Sequence, residues 1–248
     1  MNKKIKFINI NTLRKKSLLK IRQKIIQKKS IKIINELINL KFNYMFNWMG
    51  IPVIQFPNDL MVIQELIFKL KPKTIIECGI GHGGMLLFYA SILKLMNIKN
   101  FNIVGIDILI RKKNKLKIKK QNLSKYISLY NKSSTDAVLF NNLKKKYFSD
   151  NSPKLIILDS NHTKNHVLNE LNLYSKVLRK NDYIVVMDTV IEFIDKKHNK
   201  GKDFKKSNSP YNAVKSFLKN NKNFKIDRLY EDKSYLSAAK SGFLKKIK

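Results

Sequence analysis

Thr74-Ile75-Ile76-Glu77-Cys78-Gly79-Ile80-Gly81-His82-Gly83-Gly84 joins a short apolar strand, through four glycines, to an apolar segment from Met85 to Met96 that reads as a helix. That strand–loop–helix context gives the glycines weight, because a lone Gly-x-Gly is a weak signal. Glycines let the backbone turn sharply and come close to a ligand, and the first turn of the following helix offers free N–H groups. Dinucleotide-binding loops use G-x-G-x-x-G and seat a pyrophosphate on the helix N-terminus. Here the spacing is E-x-G-x-G-x-G, and an acid precedes the first glycine. Glu77 predicts a cationic ligand rather than a pyrophosphate.

Working outward, the chain alternates. A helix capped by Asn58 is expected through Leu60, Ile63, Leu66, Ile67 and Leu70, with Pro72 stopping it. Strands are expected at Phe101 to Ile108, Tyr126 to Tyr130, Leu155 to Leu158 and Tyr183 to Met187, with helices at Lys112 to Lys120, Ala137 to Tyr147 and Val167 to Leu178. A helix at Tyr211 to Leu218 and strands at Phe224 to Leu229 and Gly242 to Ile247 close the chain. Strands that are apolar throughout and separated by helices indicate a parallel sheet covered on both faces. The pattern predicts an α/β fold of seven strands, with residues 46–248 as one domain. Residues 1–45 read as a basic helical extension, since Ile21, Ile25, Ile26, Ile33, Ile34, Leu37, Ile38 and Leu40 recur at helical spacing between lysines. It would dock on the domain, on a second copy in a homo-oligomer, or on an anionic membrane surface. Gly50-Ile51-Pro52 breaks that helix, and residues 195–209 read as a polar loop.

Acidic residues stand at the strand ends, where parallel sheets build their sites. Asp107 ends the strand after the glycine loop and suits the two hydroxyls of an adenosine ribose; a helix cap or surface ion pair is the bland alternative. Ser134, within Ser133-Ser134-Thr135-Asp136, faces either an adenine edge or the helix it precedes. Asp159 and Asp188 each follow an apolar strand. A carboxylate leaving a buried strand is costly unless paired or bound. Two on neighbouring strands point to a divalent cation with oxygen ligands, Mg²⁺ first, against the alternative of two helix caps. His162 follows closely and fits a general base, a ligand or a hydrogen-bonded structural residue. His82 reads as a backbone-orienting residue, and His166 and His198 carry no functional assignment.

The net charge of +34 comes from 51 Lys+Arg against 17 Asp+Glu, but only five of the basic residues are Arg. Phosphate recognition favours the planar Arg fork. Heavy use of Lys, Ile and Asn instead fits an A/T-rich coding bias, so the charge ranks below the acids as a clue. No apolar run approaches the roughly 20 residues of a membrane span. The Lys- and Asn-interrupted N-terminus shows no signal-peptide core, and the single Cys78 fits a reducing cytoplasm.

Several stretches together resemble the cephalosporin hydroxylase family, which has a Rossmann-like methyltransferase fold and includes enzymes that O-methylate sugars. They are residues 48–60 (WMGIPVIQFPNDL), 76–84, Gly105-Ile106-Asp107-Ile108, 158–163 (LDSNHT) with Glu170-Leu171, and Val186-Met187-Asp188-Thr189. Residues 213–218, 224–227 and 242–245 complete the match, which runs in order over about residues 45–247. The resemblance implies S-adenosylmethionine in a pocket of Glu77, Gly79, Gly81, Gly83 and Asp107, beside which Ser134 is the candidate for the adenine edge. It implies Mg²⁺ at Asp159 and Asp188, with Asp159 and His162 as catalytic groups and a glycan or other small-molecule acceptor. This chain departs from relatives at Met187, where Glu is common before the last aspartate, at Asn161, often acidic, and at Met85, often Ser. Those departures leave His162 or Glu192 as the base.

Two rival readings stand beside a saccharide O-methyltransferase. An RNA methyltransferase would suit the charge, but there is no Asn/Asp-Pro-Pro-aromatic motif and no aromatic RNA-binding run. Nucleic acid is therefore not expected as a partner. A cofactor-binding protein with a decayed catalytic site would suit Met187 and Asn161.

Overall fold

A computed structural model describes residues 9–195 and 202–248. The basic N-terminal segment forms α1 (Ile10–Ile21) and α2 (Lys24–Asn39), separated by a break at Arg22 and Gln23. Helix α1 has no buried residue, whereas α2 sinks Ser30 and Ile34 into the body. Arg22 pairs with Asp232, and Gln27 accepts a hydrogen bond from Lys240, so the segment is fastened to the C-terminal part of the chain.

A 3-10 turn at Phe42–Tyr44 follows, then a hairpin of β1 (Phe46–Trp48) and β2 (Ile51–Val53). Gly50-Ile51-Pro52 was expected only to break a helix. Met49 and Gly50 both take positive φ, 50° and 76°, as a two-residue hairpin turn requires, and a three-residue strand is too short to announce itself by alternation. Helix α3 (Pro57–Leu70) opens on Pro57 rather than on an Asn58 cap, and Asn58 instead donates to the Lys233 carbonyl at 3.2 Å. It ends where Lys71 turns left-handed before Pro72.

The alternating body then runs β3 (Thr74–Cys78), α4 (Gly84–Leu95), β4 (Asn102–Asp107), α5 (Lys112–Lys119), β5 (Ile127–Asn131), α6 (Ala137–Tyr147), β6 (Lys154–Leu158), α7 (Lys164–Tyr174), β7 (Tyr183–Val186), α8 (Pro210–Asn220), β8 (Phe224–Ile226), α9 (Arg228–Lys233) and β9 (Phe243–Lys246). The strand expected over Phe224 to Leu229 stops at Ile226, because Asp227 caps α9 by accepting from the Leu229 amide. The seven-stranded sheet has the order β5-β4-β3-β6-β7-β9-β8; β3 to β7 pair in parallel and β9 runs antiparallel to both neighbours. This is the mostly parallel α/β sheet the sequence predicts.

Side chains alternate across it, as a pleated strand demands. Ile75, Leu155, Ile157, Val185 and Met187 join one core with α3 and α4. Ile76, Ile156, Leu158, Ile184 and Val186 join the other with α6, α7 and α8. The chain leaves β3 for β4 on one side and reaches β6 on the other, so a crevice opens at the C-terminal ends of these strands. Ile34 of α2 belongs to the first core. Ile34→Ala is therefore expected to cost about 2–4 kcal/mol in a urea melt, and Ile25→Ala, on the exposed side of α2, about 0.5 kcal/mol or less.

Candidate active site

The crevice is a cavity of about 850 Å³ whose wall brings together Glu77, Gly79, Gly81, Asp107, Ser134, Asp159, His162 and Asp188. The strand ladder sets their spacing. Beyond the regular pairs, the Gly79 amide donates to the Ile106 carbonyl (2.7 Å), the Asp159 amide to Cys78 (2.8 Å) and the Met187 amide to Leu158 (2.9 Å). Gly79, Asp159 and Met187 thus sit at the same level along the sheet, with Asp188 one residue further. Gly79 has φ of 87°, and a methyl on its α-carbon would overlap the Asp159 carbonyl, so the two strand ends touch only because this residue is glycine. Gly83 faces the Ile118 side chain rather than the cavity. His82 lines the cavity, and its ring makes no hydrogen bond to a described residue.

Asp107 grips the glycine loop. Its two oxygens accept from the Ile80 amide (3.0 Å) and the Leu109 amide (2.9 Å). Ser134 is buried and donates to Glu170, which also accepts from Ser160 (2.6 Å); His166 lies 3.1 Å from the Ser134 hydroxyl. The cap of α6 is Asp136, which accepts from the Leu139 amide at 2.7 Å, so Ser134 is not needed for that task.

The other side of the cavity is acidic. Asp159, His162 and Asp188 each offer a ligand atom within 4.8 Å of one another, and His162 Nε2 lies 3.3 Å from Asp188 Oδ2. Neither aspartate is a helix cap. Helix α7 starts only at Lys164, and Asp188, left-handed at φ 53°, makes no side-chain hydrogen bond to the 3-10 turn Thr189–Glu192 that follows it. Gln55, on the segment after β2, donates to Asp159 Oδ2 at 2.8 Å. Buried Asp59, in the first turn of α3, accepts from the Ser237 hydroxyl and the Ala238 amide. The Ala238 carbonyl in turn holds Thr189 and Val190, which follow Asp188. Gln55 and Asp59 lie in the stretch that carries the resemblance, but their partners are over a hundred residues away, which no local pattern reports.

Two expectations change here. Glu192 is not on the cavity wall; its Oε2 accepts from the Ser207 amide, the Ser209 hydroxyl and Asn212, so it ties down the polar loop and is no base. Asn161 Oδ1 is spent on the Thr163 amide and hydroxyl in a turn before α7, and Met187 is buried in the core at 1% exposure. The three grouped donors include neither residue. Of the polar loop, residues 196–201, with His198, lie outside the described residues.

Burial dominates the electrostatics. It lifts the Glu77 carboxyl to about 8 against a 2.8 Å hydrogen bond from Tyr89, and the Asp59 carboxyl to about 7 against bonds from Ser237 and Ala238. Asp159 is held well above the carboxylate range by burial and then by the charge of Asp188. None of these three acids pairs with a described Lys or Arg within 4 Å. Glu77 Oε2 is buried with no hydrogen-bond partner among the described residues. An orphaned, acid-rich wall of this kind fits cations. The folded form holds protons that the unfolded chain releases, so its stability falls as pH rises from the ordinary carboxylate range toward 8. One such carboxyl contributes at most about 1.4 kcal/mol per pH unit. In urea melts of the ligand-free protein, Glu77→Gln should flatten that fall between about pH 5 and 8; an unchanged slope would refute it.

A family model described as rhamnosyl O-methyltransferase/CmcI matches residues 40–247. Rhamnosyl O-methyltransferases of Mycobacterium bovis and Mycobacterium tuberculosis are 27% identical over 198 residues, covering 79% of this chain and 76% of theirs. That of Mycobacterium leprae is 30% identical over 152 residues, 59% of this chain and 63% of its own. Among solved structures, CmcI with Mg and SAM superposes over 83% of this chain and 78% of that chain, with a TM-score of 0.58 at 19% identity. An apo-structure of CmcI gives 0.59 at 20% identity, over 83% and 77%. At that identity the structural likeness concerns the fold.

Proposed function

Because the chain belongs to the rhamnosyl O-methyltransferase/CmcI family, we propose that it is an S-adenosylmethionine-dependent, Mg²⁺-assisted O-methyltransferase of a saccharide or glycosylated small molecule. One observation carries the reading: a glycine loop with an unpartnered buried carboxylate and a cluster of three metal-type donors share one cavity. When bound, the cofactor supplies an electrophilic methyl on a sulfonium, and the cation supplies Lewis acidity that lowers the pKa of a sugar hydroxyl.

The chain's own residues do the rest. Glu77, protonated in the ligand-free site, would ionise against the cofactor's cationic groups, while Gly79 and Gly81 let the backbone come close and Gly83 packs the loop against α5. Asp107 receives the ribose hydroxyls, exchanging backbone partners for them or sharing its oxygens, and Ser134 borders the adenine. Asp159 and Asp188 would hold the cation, and Gln55 fixes Asp159 by donating to its Oδ2. His162 takes the acceptor's proton, and Asp188, 3.3 Å from its Nε2, stabilises the imidazolium that results. The sheet fixes the approach, and in-line placement is the main demand that methyl transfer makes on a protein.

In this reading residues 46–248 are the transferase domain and residues 1–45 a basic extension. No helix among the described residues is long and apolar enough to cross a membrane. Helix α1 exposes Ile10, Leu13 and Leu19 and also Lys15, Lys16 and Lys20; Ile10 and Leu19 stand on opposite faces, so contact with an anionic membrane surface would rest on the lysines rather than on an apolar face. Co-sedimentation with phosphatidylglycerol vesicles at low salt should occur and should weaken more when those three lysines are replaced with Gln than when Lys144, Lys145 and Lys146 of α6 are; equal binding by the two variants would refute that contact.

Incubation with labelled S-adenosylmethionine and a panel of rhamnosides should yield a methylated saccharide. EDTA should abolish turnover and Mg²⁺ restore it. Asp188→Ala should lower kcat by about 100-fold or more, the loss expected when several kcal/mol of Lewis-acid stabilisation goes. Chelator-insensitive turnover would refute the metal role, and absence of any methylated product would refute the enzyme.

A further inference from the structure

A second cavity of about 350 Å³ adjoins the first. Glu77, Gly79, Gly81 and Asp107 line only the larger one, and Ile38, Phe56, Val190, Ile191 and Ile194 only the smaller. His162 and Asp188 line both. On the proposed function, the larger cavity takes the cofactor and the smaller one the acceptor, with the reacting hydroxyl at their junction. The inference that follows rests on that reading.

Asn43 also lines both cavities, from the 3-10 turn Phe42–Tyr44 between α2 and the hairpin. Its Oδ1 is buried and has no hydrogen-bond partner among the described residues. Leaving such a group without a partner costs about 1–3 kcal/mol, and surrounding side chains do not relieve it. Of the residues that share both walls with it, Ile54 is apolar, Gln55 is committed to Asp159, Phe204 stands edge-on to His162 with ring centres 5.1 Å apart, and neither Tyr44 nor Lys202 bonds to it. An amide offers an acceptor and donors, so whichever way it is turned, a hydroxyl can satisfy it.

We propose that Asn43 is a specificity-determining residue that binds a second hydroxyl of the saccharide acceptor, next to the one methylated. The two groups would be read together: the reacting oxygen at His162 and Asp188, its neighbour at Asn43. The substrate class is therefore a sugar with a free vicinal diol, rather than one already substituted or deoxygenated at the adjoining carbon. A site built to hydrogen-bond a hydroxyl rejects the analogue lacking it far more strongly than an apolar pocket rejects an added methylene. The turn that bears Asn43 also connects α2 to the hairpin, so the end of the N-terminal extension contributes to acceptor choice.

The test is calorimetric titration of the protein, loaded with S-adenosylhomocysteine and Mg²⁺, with methyl α-rhamnopyranoside and its three monodeoxy analogues. The wild-type chain should bind the parent sugar and lose about 10-fold or more in affinity for one analogue. Asn43→Leu should weaken the parent to the level of that analogue and leave binding of the analogue, and of S-adenosylhomocysteine, unchanged. Asn43→Gln and Asn43→Ser, which keep a polar group on the turn, should recover part of the preference. Unchanged discrimination in Asn43→Leu, equal weakening of every sugar, or no sugar binding to the wild type would overturn the assignment. Sugar binding with the expected pattern but no methyl transfer would instead refute the enzymatic reading and leave Asn43 as a recognition residue.

Discussion

The crowding of acids at one sheet edge is the constraint on which the site depends. Glu77, Asp159 and Asp188 come from three segments and line one crevice, with Asp59 buried behind it and near enough for its charge to act on Asp159. In water each would ionise freely; here burial and neighbouring carboxylates raise Glu77 to about 8 and Asp59 to about 7 and hold Asp159 well above the carboxylate range. The chain has 51 basic side chains, yet none of those three acids is paired with a described one. Lys202 stands on the same cavity wall but forms no ion pair with them. What remains is a pocket whose most favourable complement is an external cation.

Backbone geometry makes that crowding possible. The parallel register puts the ends of β3, β4 and β6 side by side, and Gly79 lets the first touch the third. Longer-range bonds then fix individual carboxylates: Gln55 on Asp159, and Asp59 acting through Ala238 on the turn beyond Asp188. Each positioning group is polar and buried, so each carries the cost of desolvation and is worth keeping only where it is satisfied. Asn43 is the exception on the acceptor side, as Glu77 is on the cofactor side. An unsatisfied atom at a cavity wall marks where the protein expects something from outside.

The reading of the sequence was most dependable where chemistry is local. The glycine run, the apolar strands and the acids after them fixed β3, β4, β6, β7 and the positions of Asp107, Asp159 and Asp188, because strand period, turn chemistry and strand-end placement are all properties of a few adjacent residues. It failed where a short element lacks a period. The hairpin at Phe46–Val53 is too brief for alternation, and Asp227 ended an expected strand by capping α9. Glu192 was a reasonable base by composition and proved to be a clamp on Ser207, Ser209 and Asn212.

The sequence alone thus determined the α/β class, the order of the strands along the chain and the scarce acids that matter. Only the tertiary structure decided which of them share a cavity, that His162 joins the two aspartates, that Met187 lies in the core, and that Asn43 faces the junction of two cavities. The physical reason is range. Propensity, capping and alternation act within a few residues, whereas burial, desolvation and shared ligand geometry arise only when segments a hundred residues apart are brought within a few ångströms.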